Sequence, residues 1–79
     1  MNRQEISEKV RIKVSEKLKV PIEQCTVGTT LYGLGADSLD MVELIIDFEC
    51  MFKIKITDLE GERIQTSKDF VDLIERKLN

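Results

Sequence analysis

The sequence predicts an all-α fold: a small antiparallel bundle of three main helices plus one short helix. Three long stretches repeat apolar residues at helical spacing, and each follows a residue type that caps helices. The one alternating stretch, residues 53–57, is too short to form a sheet without a second strand. A chain of 79 residues has room for one core, so we expect residues 1–79 to form a single domain.

The first helix is predicted to begin after Asn2 and to end near Lys19, just ahead of Pro21. Asn2 followed by Glu5 is the pattern of a capping box. The apolar residues that follow recur every four positions and predict one buried face: Ile6, Val10, Val14 and Leu18. Residues 20–37 then predict a long, glycine-containing connection, and a connection of this length in a small domain is often functional. Its apolar residues are expected to pin it to the core: Val20, Ile22, Leu31 and Leu34.

The second helix is predicted from about Ser38 to Phe52, and its apolar residues occupy two stripes. One stripe has the spacing of a core-facing side: Met41, Leu44, Ile45, Phe48 and Phe52. The other is narrower and is flanked by acidic residues: Leu39, Val42 and Ile46, with Asp40, Glu43, Asp47 and Glu49 beside them. Val42 and Ile46 either broaden the core contact or form a separate exposed surface, whereas Leu39 lies at the helix start beside a serine.

The rest of the chain predicts an extended link over residues 53–57, a short helical segment and a final helix. Asp58 is expected to cap the short segment, which ends near Ile64. Thr66 or Ser67 is expected to cap the last helix, whose buried face is predicted to be Phe70, Val71, Leu73, Ile74 and Leu78.

Charge and composition exclude several classes of function. Residues 37–62 carry eight acidic and two basic side chains, a balance that repels nucleic acid and favours partners with basic patches. No apolar run approaches the roughly 20 residues of a membrane span, and the N-terminus does not resemble a signal peptide, so a cytoplasmic protein is expected. Cys25 and Cys50 lack metal-ligand spacing, and without any histidine neither a metal site nor a catalytic site is predicted. Both cysteines are expected to be reduced thiols, with Cys25 partly buried.

The segment Leu34-Gly35-Ala36-Asp37-Ser38-Leu39-Asp40 places a serine where a glycine-containing loop gives way to the second helix. The unpaired N–H groups of a helix's first turn favour negative charge, so a phosphate ester on Ser38 would lie in a favourable field. This segment resembles the attachment motif of acyl carrier proteins, and the resemblance extends over nearly the full chain.

The resemblance implies an acyl-carrier-protein-like bundle whose Ser38 carries a covalent 4′-phosphopantetheine arm from coenzyme A. Asp37 is either part of the motif that binds the loading enzyme or a plain helix cap. The implied partners are a phosphopantetheinyl transferase and acyl synthase or transferase enzymes with basic patches. These enzymes are expected to contact the exposed side of the second helix: Leu39, Asp40, Val42, Glu43, Ile46, Asp47 and Glu49.

The implied protein is a monomer that shelters its acyl chain in the bundle core and serves fatty acid biosynthesis or related lipid metabolism. The residues expected to line the acyl site are Leu44, Ile45, Phe48, Ile56, Ile64 and Phe70. Lys53 and Lys55 stand where typical fatty-acid carriers are acidic, which leaves open a specialised lipid or polyketide synthase. Two alternatives keep the helical fold: an aminoacyl or peptidyl carrier, and an interaction domain with no arm.

Overall fold

The computed structural model describes residues 1–26 and 28–79, and across these residues the chain is helical, with no β-strand. Four α-helices follow one another: α1 (Arg3–Leu18), α2 (Ser38–Phe52), α3 (Asp58–Glu62) and α4 (Ser67–Leu78). The predicted all-α bundle of three main helices and one short helix is therefore confirmed. None of the described helices is both long enough and apolar enough to span a membrane.

Each helix begins with a capping box, in which the N-cap side chain and the third helical residue bond each other's backbone N–H. Asn2 caps α1 as predicted, and Thr66 rather than Ser67 caps α4. The prediction of Asp58 as the cap of α3 was wrong. Thr57 takes that place because Glu60, three positions later, completes its box, and α3 ends at Glu62 rather than near Ile64.

The core lies where α1, α2 and α4 meet. Phe48 of α2 is fully buried, and its ring meets that of Phe70 edge-on, with the ring centroids 4.8 Å apart. Of the core-facing stripe predicted on α2, Ile45 alone is half-buried, and the other four residues are buried. At the surface Arg3 of α1 forms ion pairs with two acids of α4, 2.7 Å to Asp72 and 2.9 Å to Glu75.

The connection between α1 and α2 is fastened to the bundle on two sides. The Arg11 side chain donates to the carbonyl oxygens of Cys25 and Ile22, at 3.1 and 3.3 Å. Further along, the fully buried Leu31 donates its N–H to the carbonyl oxygen of Gln65 at 2.8 Å. Leu31 is the strongest of the predicted anchors, whereas Ile22 is half-buried and lies outside the core cluster. These contacts fix the approach of the chain to the start of α2.

Candidate functional site

Ser38 is the first residue of α2, and it is exposed to solvent. The chain reaches it through a short 3₁₀ turn, Tyr32–Leu34, that follows the buried Leu31. Gly35 ends that turn with φ at 103°, a left-handed conformation that suits glycine. The next residue, Ala36, is buried, and its N–H donates to the Leu31 carbonyl at 3.1 Å. The buried anchor and the glycine together place Ser38 at the helix start, facing outward.

Asp37 and Asp40 flank Ser38 and bond each other's backbone. Asp37 Oδ1 accepts from the Asp40 N–H at 2.8 Å, and Asp40 Oδ2 accepts from the Asp37 N–H at 3.1 Å. Asp37 is therefore the N-cap of α2, whatever further part its charge plays. The box holds two carboxylates beside the serine in a defined arrangement.

An open cleft of about 300 Å³ lies beside Ser38, between α2 and α3. Its apolar wall is formed by four residues: Met41, Val42, Ile45 and Ile56. The two helices approach closely at Gly61, where an added Cβ would lie 2.8 Å from the Ile45 Cδ1 atom. The absence of a side chain at Gly61 thus lets α3 close one side of the cleft.

The residues predicted to line an acyl site divide between this cleft and the core behind it. Ile45 and Ile56 belong to the cleft, and Ile64 lines an adjoining cavity of about 430 Å³ that also includes Met41. The other three predicted residues, Leu44, Phe48 and Phe70, are fully buried in the core. The cleft at Ser38 therefore adjoins the most apolar part of the bundle.

The second stripe of α2 faces solvent along its whole length. Leu39 is 63% exposed, Val42 52% and Ile46 51%, although all three are large apolar residues. The alternative that Val42 and Ile46 only broaden the core contact was therefore wrong. Three exposed apolar side chains in a row on one helix form a surface that can bind a partner.

The acidic residues beside this stripe already have partners within the chain. Glu43 Oε1 and Asp47 Oδ2 lie 3.5 and 3.1 Å from the Nζ of Lys17 on α1. The hydrogen bond that the Lys17 ammonium donates to Asp47 is the main cause of its raised pKa. Glu49 Oε2 accepts from the Ile56 N–H at 2.8 Å and so ties the extended link to α2.

Sequence reasoning missed Lys17. The sequence places Lys17 directly before Leu18 on α1. Which residues of another helix Lys17 faces depends on how α1 is rotated against α2. No local pattern carries that information.

The two cysteines lie apart from Ser38 in sequence and differ in exposure. Cys25 is fully buried, deeper than expected, and burial raises the pKa of its thiol. Its Sγ lies 3.7 Å from the Pro21 carbonyl oxygen, whereas Cys50 is exposed. Within residues 1–26 and 28–79, no three His, Cys, Asp or Glu side chains are grouped as they would be to hold a metal ion.

Comparison with known proteins places the chain in a family. Residues 8–74 match the family of the phosphopantetheine attachment site. The chain is 47% identical to the acyl carrier protein of Thermotoga maritima, over 98% of this chain and 96% of that protein. It is 44% identical to the acyl carrier protein of Guillardia theta, over 99% of this chain and 98% of that protein. The solved structure of the acyl carrier protein from Enterococcus faecalis superposes with a TM-score of 0.84 at 29% identity, over 98% of this chain and 99% of that one.

A helical bundle with this match is a carrier protein, on which enzymes act, and not itself a catalyst. The chain belongs to the acyl carrier protein family. It holds acyl groups on a covalently attached 4′-phosphopantetheine, and proteins of this kind work with a phosphopantetheinyl transferase and with synthases. The resemblance seen in the sequence is confirmed, and the aminoacyl carrier and the armless interaction domain are not favoured. Fatty acid biosynthesis is the typical role of the family.

Proposed function

We propose that Ser38 is the residue that carries the 4′-phosphopantetheine arm, and that residues 1–79 act as a single acyl carrier domain. The observation that supports this most directly is the exposure of the serines. The chain has four, all within the described residues, and Ser38 alone is exposed. Ser67 is fully buried, Ser15 donates to the Val20 carbonyl at 2.6 Å, and Ser7 is half-buried. An enzyme can reach Ser38 without unfolding any part of the bundle.

The surroundings of Ser38 suit a phosphodiester. A phosphate on its Oγ would lie at the positive end of the α2 dipole, where the first N–H groups have no intrahelical acceptor. Asp37 and Asp40 oppose this attraction, but both are at the surface, where water screens them. The arm supplies the thiol on which acyl groups are held as thioesters.

Loading requires Ser38 Oγ to form a bond to phosphorus while the pyrophosphate P–O bond of coenzyme A breaks and 3′,5′-adenosine bisphosphate leaves. The hydroxyl proton must leave at the same stage. The chain contains no histidine, and the two neighbouring carboxylates are engaged in capping α2. We therefore assign the base to the transferase, and the role of this chain is to present the hydroxyl on a rigid helix end.

We further propose that partner enzymes bind the exposed side of α2. Leu39, Val42 and Ile46 would fill small apolar depressions on the partner. The acidic residues near the stripe would meet its Lys and Arg side chains: Asp37, Asp40, Glu43, Asp47 and Glu49. The acyl chain would enter the cleft between α2 and α3 along the wall that contains Ile45 and Ile56.

A monomer that works in the cytoplasm agrees with these features, since the stripe must stay open to successive enzymes and both cysteines are free thiols. The pathway is either fatty acid synthesis or a specialised lipid or polyketide synthase. The specialised synthase is suggested by Lys53 and Lys55, which are both exposed and follow the C-terminal end of α2.

The test is the intact mass of the reduced protein before and after incubation with coenzyme A, Mg²⁺ and a broad-specificity phosphopantetheinyl transferase. The wild type is expected to gain one phosphopantetheine, and Ser38→Ala is expected to gain none while keeping its helical circular dichroism. Ser7→Ala is the matched control and is expected to load like the wild type. Normal loading of Ser38→Ala would show that the arm is attached elsewhere.

A further inference from the structure

Lys17 of α1 lies across two acidic residues of the proposed docking surface. Its Nζ is 3.1 Å from Asp47 Oδ2 and 3.5 Å from Glu43 Oε1. The two carboxylates are four positions apart and therefore share one side of α2. Only 25% of the Lys17 side chain is exposed, so its carbon chain is held between the helices while the ammonium reaches both acids.

The position of this ammonium matters because Val42 and Ile46, the neighbours of these acids, form the exposed stripe. A partner that covers the stripe and brings a Lys or Arg to Glu43 or Asp47 meets a cation that is already there. The three side chains together carry one net negative charge rather than two. The attraction that these acids offer to a basic enzyme is correspondingly weaker.

The acidic residues at the Ser38 end of α2 form different contacts. Asp37 and Asp40 accept hydrogen bonds from backbone N–H groups, and neither forms an ion pair with a Lys or Arg among residues 1–26 and 28–79. The charge available to a partner is thus reduced at the middle of the helix relative to its start.

We propose that Lys17 is an intramolecular competitor of basic partner enzymes, and that it determines how strongly they engage the middle of α2. A basic partner must displace the Lys17 ammonium from Asp47 and Glu43 before its own cation can pair with them. Partners whose basic groups pair only with Asp37 and Asp40 are unaffected, so Lys17 selects among enzymes by where their basic groups lie. The transferase, whose docking surface is proposed to include Ile46, also covers the middle of α2 and is therefore expected to respond. This inference rests on the proposed docking surface.

The first experiment measures kcat/KM for loading of the apo protein by a broad-specificity phosphopantetheinyl transferase. Lys17→Gln is expected to raise kcat/KM roughly two- to five-fold at low ionic strength, the range of an exposed ion pair. The gain should disappear in high salt, where such contacts are screened. Lys17→Arg, which keeps the charge, should behave like the wild type. Lys9→Gln makes the same charge change at an exposed position of α1 and should have a smaller effect.

The second experiment separates masking from a general change in charge. Asp47→Asn is made both in the wild type and in Lys17→Gln. Urea unfolding curves first establish that every variant is folded under the assay conditions. If Lys17 masks Asp47, the substitution lowers kcat/KM several-fold more in the Lys17→Gln background than in the wild type. Equal effects in the two backgrounds, or equal effects of Lys17→Gln and Lys9→Gln, would overturn the inference. Normal loading of Ser38→Ala in the same assay would instead refute the assignment of Ser38 and leave the Lys17 comparison standing on its own.

Discussion

At the scale of single residues, Asp37 has a structural task that is independent of any partner. Its Oδ1 accepts the Asp40 N–H at 2.8 Å and thereby caps α2, whose first residue is Ser38. The proposed function adds a second task, in which the negative charge of Asp37 meets a basic group of the transferase. The cap needs a side-chain oxygen, whereas the second task needs a charge, so substitution can separate them.

Asp37→Asn is expected to keep the cap, because the amide oxygen replaces the carboxylate oxygen, and to change the free energy of unfolding little. Asp37→Ala is expected to lose about 1 kcal/mol of stability with the cap. Both should load more slowly, since neither carries the charge. Urea unfolding gives the stability, and the transferase assay gives kcat/KM for loading. Wild-type loading of Asp37→Asn would limit this residue to the cap.

Residue roles could be predicted where they depend on near neighbours in the chain. Asn2, Asp37 and Thr66 all stand three positions before the residue that completes their box, and that spacing is visible in the sequence. The contacts of Lys17 with α2 and of Glu49 with Ile56 could not be predicted in this way. They depend on how two elements are turned toward each other.

At the scale of elements, α3 has five residues, a length at which a helix needs support from outside. Glu60 provides it in two directions. Its Oε1 accepts the Thr57 N–H at 2.9 Å in the capping box, and the same atom lies 2.9 Å from Lys77 Nζ on α4. Thr57 was missed as the cap because Asp58 beside it is an equally good cap residue. The glutamate three positions after Thr57 was the signal that distinguished them.

These contacts lower the pKa of Glu60 from 4.5 to about 2, first through the backbone N–H of Thr57 and then through Lys77. A carboxylate with a lowered folded-state pKa adds stability above its unfolded pKa, and this is lost as pH falls toward the folded value. The Tm advantage of the wild type over Glu60→Gln should therefore be largest above pH 4.5 and shrink toward pH 2.

The pKa of Asp72 is also lowered, by its ion pairs with Lys68 and Arg3. Because Asp72 is present in both the wild type and Glu60→Gln, its contribution to the pH dependence of Tm cancels in the difference between them. Glu62→Gln is the control, because Glu62 lies in the same helix, is exposed and forms no ion pair with any described residue. Thermal unfolding followed by circular dichroism from pH 6 to pH 2 measures the difference. A Tm difference for Glu60→Gln that stays constant over this range would show that Glu60 does not hold α3 in solution.

At the scale of the whole molecule, the fold divides its apolar residues between a core and an exposed stripe that share one helix. The two stripes of α2 were predictable, because their spacing places them on different sides of any regular helix. The cleft beside Ser38 was not, since it depends on the close approach of α3 at Gly61. The division also predicts that stability and partner binding respond to different residues.

Phe48 and Ile46, two positions apart in α2, provide the test. Phe48 is fully buried against Phe70, and Phe48→Ala is expected to cost about 3–5 kcal/mol through lost contacts and a cavity. That is a large part of the roughly 5–15 kcal/mol that stabilises a typical domain, so the urea midpoint should fall steeply. Ile46 is half exposed, and Ile46→Ala should change stability by no more than about 0.5 kcal/mol while it slows loading. If Ile46→Ala were as destabilising as Phe48→Ala, the exposed stripe would belong to the core, and the docking surface proposed on α2 would have to be abandoned.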